Sequence, residues 1–174
     1  MIENNLVPEQ INSYNSYLDG DKLIGVASDL DLPELKEKTS TVQGTGIGGE
    51  IESVSVGQYE SIEQEIKFNL IYSGMVELLK VDSVVHLTHR AAQQLYNKDG
   101  GYTFKGLRVV EVGRIKSIKL GKLTKSGAMD TSVVLEVTAL KVENGDEVLL
   151  DIDKLNGKDE RAGVDRLREI RELV

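Results

Sequence analysis

Cysteine is absent from the 174 residues, which excludes a disulfide framework, a thiolate nucleophile and any cysteine-ligated metal. That absence is compatible with a reducing compartment. Proline occurs only at Pro8 and Pro33, against 17 glycines, a balance that suits strands joined by turns better than helices. Basic residues are in deficit: 21 Lys plus Arg face 29 Asp plus Glu, a net charge of −8. Affinity for nucleic acid comes from counterions released at basic patches, so a chain of this balance meets DNA, if at all, without gripping it. No apolar run approaches the roughly 20 residues that span a bilayer. Residues 1–10, MIENNLVPEQ, lack the basic region and apolar run of a signal peptide, so assembly inside the cell is expected.

What is present fits one domain over residues 1–174, with 40% hydrophobic residues to build a core. Asp19-Gly20 supplies the positive φ angles of a tight turn between short apolar runs, Tyr17-Leu18 before it and Leu23-Ile24 after it. Residues 34–43, ELKEKTSTVQ, read as an exposed extended strand, and 50–56, EIESVSV, as another. Tyr59 to Tyr72 predicts one long strand. Ile62, Ile66, Phe68 and Leu70 lie on its apolar face with Gln64 among them, and Ser61, Glu63, Glu65, Lys67 and Asn69 on its polar face. Ser73 caps a short amphipathic helix to Lys80 that places Met75, Leu78 and Leu79 on one side. Strands follow over Val84–Tyr96, turned by Asp99-Gly100-Gly101, then over Tyr102–Leu120, and over 132–142 with Val133, Leu135, Val137 and Ala139 on one face. Asn144-Gly145 turns the chain into a strand over 147–152. Asp159 to Val174 predicts a charged helix with Val164, Leu167 and Ile170 on one side. The reading is a mainly β protein with two helical elements.

The stretch VQGTGIGGEI contains a G-x-G-x-x-G at Gly44, Gly46 and Gly49. A dinucleotide site needs a buried strand before that motif and a helix opening at its third glycine. EKTSTVQ is too polar for the first, and EIESVSVGQY is too β-branched for the second. Glu50 stands where a P-loop needs Lys. The glycines therefore predict a turned loop between strands. His86 and His89 point to opposite faces of a strand and cannot share a metal. DIDKLNG, residues 151–157, fails as a calcium loop because Leu155 occupies a ligand position. No G-x-S-x-G elbow is present, so no enzyme, cofactor or metal is expected.

The series NSYLDGDKLIGVASDLDLPELKEKTSTVQGTGIGGEIES, then VGQYESIEQEIKF and the end segment GVDRLREIR, resembles the major tail tube proteins of contractile-tailed bacteriophages. Length and element order agree over nearly the whole chain, while residues 105–145 contribute only a generic strand pattern. The resemblance implies a β-sandwich or barrel with a flanking short helix and a C-terminal helix. It implies hexameric rings that stack into a hollow tube inside a contractile sheath. Gly44, Thr45, Gly46, Ile47, Gly48, Gly49 and Glu50 would shape an inter-ring assembly loop. Glu63, Glu65, Lys67 and Asn69 would face a lumen through which DNA passes without specific binding. Further partners would be the sheath protein, the baseplate and the tail terminator, with no membrane. The location would be a virion tail assembled in the bacterial host cytoplasm. An R-type bacteriocin tube, which delivers no DNA, has the same subunit physics, and a monomeric small-ligand-binding β-barrel is the more distant alternative.

Overall fold

The computed structural model describes residues 5–80 and 83–174, so residues 1–4 of the stretch tested for a signal peptide lie outside the described residues. Asp19 and Gly20, at φ +49° and +99°, turn strand β1 (Leu6–Leu18) into the short β2 (Asp21–Lys22). Three long strands follow after an excursion: β6 (Val84–Asn97), β7 (Tyr102–Lys119) and β8 (Thr131–Asn144). β6 joins β7 through the Asp99-Gly100-Gly101 turn, and β8 joins β9 (Glu147–Asp153) through Gly145-Asp146. These hairpins stand where the turn residues put them.

The excursion holds β3 (Glu37–Val42), β4 (Ile51–Tyr59) and β5 (Glu63–Phe68). β5 pairs with the first half of β8, residues 131–136, and β9 with the second half, residues 139–144. The handover is at Thr138, where the β7–β8 register shifts. There the Thr138 hydroxyl donates to the Val112 carbonyl at 3.1 Å, while the Val137 N–H donates to the Ile62 carbonyl at 2.8 Å. The bulge breaks the even alternation expected across 132–142. Val133, Leu135 and Val137 are buried, but Leu140 replaces Ala139 as the next core residue.

One end of this sheet closes into a barrel. Leu23 N–H donates to the Ser16 carbonyl at 2.8 Å and Ala27 N–H to the Lys67 carbonyl at 2.8 Å, and Val26 bridges Phe68. The ladder therefore returns from β1 through residues 23–27 to β5. Inside lie Leu18, Leu23, Ile66, Phe68, Met75, Leu78, Leu87 and Leu135. A second cluster of Tyr59, Ile62, Val109, Val137, Leu140 and Ile152 packs under the β8–β9 half.

Four expectations are corrected. The strand predicted from Tyr59 to Tyr72 is two elements: Tyr59 ends β4, and β5 covers only Glu63–Phe68. Leu70 is 55% exposed, because the strand has ended and its face no longer points inward. Ser73–Lys80 is two 3₁₀ turns, Ser73–Met75 and Glu77–Leu79, with no side-chain cap from Ser73. Their Met75 and Leu78 nevertheless plug the barrel, fully buried. The sixteen-residue C-terminal helix is replaced by β10 (Lys158–Arg161), β11 (Val164–Asp165) and a six-residue α1 (Arg168–Leu173). Ala162 and Gly163 reverse the chain at φ +48° and +77°, and β10 finds backbone partners on β9. Val164 is left 63% exposed and Ile170 45%.

Candidate assembly surfaces

β3 and β4 form a separate two-stranded sheet, paired from Val42↔Ile51 down to Glu37↔Tyr59. It is an arm, and residues 43–50 are its tip. The glycines lie in a loop between two strands, and they differ in conformation. Gly46 has φ +93°, whereas Gly44, Gly48 and Gly49 stay outside the left-handed region. The Ile47 N–H donates to the Gly44 carbonyl at 3.1 Å, tightening the turn. No helix starts at Gly49; β4 starts two residues later, so the geometry that cradles a pyrophosphate is missing. Val42, Ile47, Ile51, Val54 and Val56 are all exposed on the arm.

The root of the arm is held by a knot of charges that sequence reasoning missed. Glu37 opens β3 and accepts hydrogen bonds from both Arg161 and Arg166. Arg166 also reaches Asp159 at 2.9 Å. The Tyr59 hydroxyl donates to Asp159 at 2.7 Å and accepts from Arg161 at 2.7 Å. Asp159 is fully buried, yet its oxygens are bonded, so the charge is compensated. The Arg166 hydrogen bond holds the Glu37 carboxyl below its ordinary range, against the opposing pull of burial. Burial, foremost, pushes the Tyr59 hydroxyl up. The only signal in the sequence was the density of Arg and Asp in DERAGVDR, which is equally the mark of a solvated helix.

Above the knot, Gly57 sits at φ +75° in the irregular part of β4, where the pairing jumps from Glu37↔Tyr59 to Thr39↔Val54. A Cβ there would lie 2.5 Å from a Leu167 methyl. The C-terminal segment therefore packs directly against the arm's backbone.

The polar face expected on β5 is exposed at Glu63, Glu65, Lys67 and Asn69. Its acids are not free. Glu63 is ion-paired with Lys116, and Glu65 lies 3.8 Å from Lys67. Glu136, across the ladder from Glu63, takes Lys154 at 2.9 Å. The Lys116 ammonium holds the Glu63 carboxyl below its ordinary range. The register continues this face onto β7 and β6, where Arg108 pairs with Glu143 at 3.1 Å and Arg90 stacks 5.4 Å over the Tyr17 ring. The face is mixed in sign, not acidic.

The histidines point apart as expected, His86 exposed and His89 buried. His89 Nδ1 is 2.8 Å from the Ser16 hydroxyl, and its Nε2 is 3.7 Å from the fully buried Glu111, another residue no local pattern singled out. Among the described residues no group of three or more His, Asp or Glu side chains is placed to hold a metal.

The family model for the phage tail tube protein FII matches residues 8–174. The chain is similar to the tail tube protein of Escherichia phage P2, 26% identical over 170 residues that cover 97% of this chain and 98% of that protein. It is also similar to the major tail tube protein of Serratia phage KSP20, 26% identical over 150 residues that cover 86% and 85% of the two chains. Barrel, arm and C-terminal strands all fall inside the matched span, and the chain belongs to the phage tail tube protein FII family.

Proposed function

We propose that this protein is the repeating subunit of the inner tail tube of a contractile phage tail, a conduit for DNA ejection. Hexameric rings stack along one axis. Each arm tip, residues 44–50, makes the axial contact, and the polar outer face of β5 turns toward the bore. The sheath, baseplate and tail terminator are then its partners in the virion.

The observation that carries this reading is the arm itself. An isolated two-stranded hairpin is marginal in water, and this one exposes five aliphatic side chains with no sheet partner beyond its own two strands among the described residues. Such a surface fits a chain that completes itself on a neighbour. A repeating contact of that head-to-tail kind propagates as rings or filaments. A monomeric ligand-binding barrel has no use for the arm.

Negative-stain electron microscopy of the purified chain tests the proposal, with rings or tubes as the expected result. Sedimentation showing only monomer across a wide concentration range at physiological salt would refute it.

A further inference from the structure

The tip chemistry and one groove on the barrel match each other. A trough of about 660 Å³ runs beside β1, lined by Leu6, Gln10, Gln93, Gln94, Lys105 and Asn144 among others. It shares Ile11 with a smaller apolar pit of about 130 Å³, whose walls include Leu30, Leu32, Leu107 and His89. Pockets for small molecules run to about 300 Å³ or more, so the pit suits one aliphatic side chain. The trough is a different kind of surface. It presents side-chain amides, and the buried Oδ1 of Asn144 has no hydrogen-bond partner. Beside it, β1 carries no backbone partner on its outer side over residues 6–15 among the described residues. A segment rich in exposed backbone N–H groups would satisfy both.

The arm tip is such a segment. Between Gln43 and Glu50 its one apolar side chain is Ile47, set among Gly44, Gly46, Gly48 and Gly49. Glycines leave the backbone bare for close approach. Charge also agrees. From residue 39 to 58 the arm has Glu50 and Glu52 and no Lys or Arg. Neither acid has an ion pair among the described residues, and Lys105 in the trough has none either.

We propose that the arm tip of one copy seats in this groove of a second copy, Ile47 entering the pit beside His89, the glycines lying along the trough and Glu50 meeting Lys105. This rests on the assembly reading above and names its receiving surface.

The cysteine-free chain offers a clean test. Ile47→Cys combined with Leu32→Cys, assembled and then oxidised, should give a ladder of covalently linked chains on a denaturing gel, and neither single variant should. A disulfide demands Cα atoms within about 7 Å, so only seated tips will link. Tubes that form without cross-links, or cross-links only within one chain, overturn the groove assignment and leave the assembly reading standing. If wild-type protein forms no rings or tubes, the assembly reading itself fails. Should the double-cysteine variant not assemble, charge reversal decides. Glu50→Lys and Lys105→Glu should each shorten tubes severalfold, and the pair together should restore them. Failure of the pair to restore length overturns the proposal.

Discussion

Glu37 shows how much one side chain can hold in this fold. It receives both Arg161 and Arg166, as the fully buried Asp159 also does, and its side chain is 13% exposed. Glu37→Gln removes the charge but keeps the shape, leaving Asp159 as the one carboxylate shared by the two guanidinium groups. Hydrogen bonds to charged groups contribute about 1.5–3 kcal/mol, so we expect a loss of about 2 kcal/mol, or about 4–8 °C in Tm for a domain of this size. The pH dependence has a definite sign. Because the folded carboxyl is held below its ordinary 4.5, its stabilisation is complete above that value and is lost as pH falls through the lowered one. Denaturant titrations should therefore show a constant gap between wild type and Glu37→Gln from pH 6 to 8, narrowing below about pH 4.5. A gap that widens in acid would refute the assignment. The tip glycines make the complementary point. The sequence treats Gly46 and Gly48 alike, but only Gly46 has positive φ. A branched side chain there costs on the order of 1 kcal/mol or more, and it costs little strain at Gly48. Hydrogen exchange at the Ile47 N–H of the unassembled chain should accelerate for Gly46→Val and stay near wild type for Gly48→Val.

At the scale of elements, legibility followed the range of the forces involved. The β1–β2, β6–β7 and β8–β9 hairpins were readable because Asp19-Gly20, Gly100-Gly101 and Gly145 impose their turns locally. β5 was readable because Ile62, Gln64, Ile66 and Phe68 alternate with charges and are all buried. The C-terminal segment misled because Val164, Leu167 and Ile170 keep a helical spacing, while the deciding partner, β9, is a tertiary neighbour. The arm's loop was legible as a loop, whereas the knot at its root joins residues more than a hundred positions apart. His89 and Glu111 meet only through β6–β7 pairing. Gly57 tests the coupling between these elements. Gly57→Ala combines an unfavourable φ with a methyl overlapping Leu167, so it should loosen the C-terminal segment and the arm together. Limited proteolysis after Arg166 and Arg168 should speed up while the barrel survives. Unchanged cleavage would mean that the Leu167 contact does not hold the segment.

At the scale of the whole molecule, the proposed tube makes the charge of its wall matter for DNA. A uniformly acidic wall would repel a polyanion that carries one charge per ~1.7 Å of axis. The outer face of β5 works differently, because Lys116 and Lys154 neutralise Glu63 and Glu136, and Lys67 lies beside Glu65. A cation already paired with a carboxylate releases no counterion to a passing phosphate, so it adds little to sticking. On this argument the acids matter as partners that occupy lysines, more than as repellent charges. Glu63→Lys with Glu65→Lys would reverse two charges per subunit and release Lys116 at the same stroke. If this face lines the bore, the variant should still assemble, because neither side chain is in the core. Its tubes should then retain DNA at low salt, with release restored as salt rises, since phosphate contacts weaken steeply with ionic strength. Glu63→Gln alone should give a weaker effect of the same sign, as it frees Lys116 without adding a cation. Ejection at the wild-type rate by the double variant at low salt would place this face outside the bore.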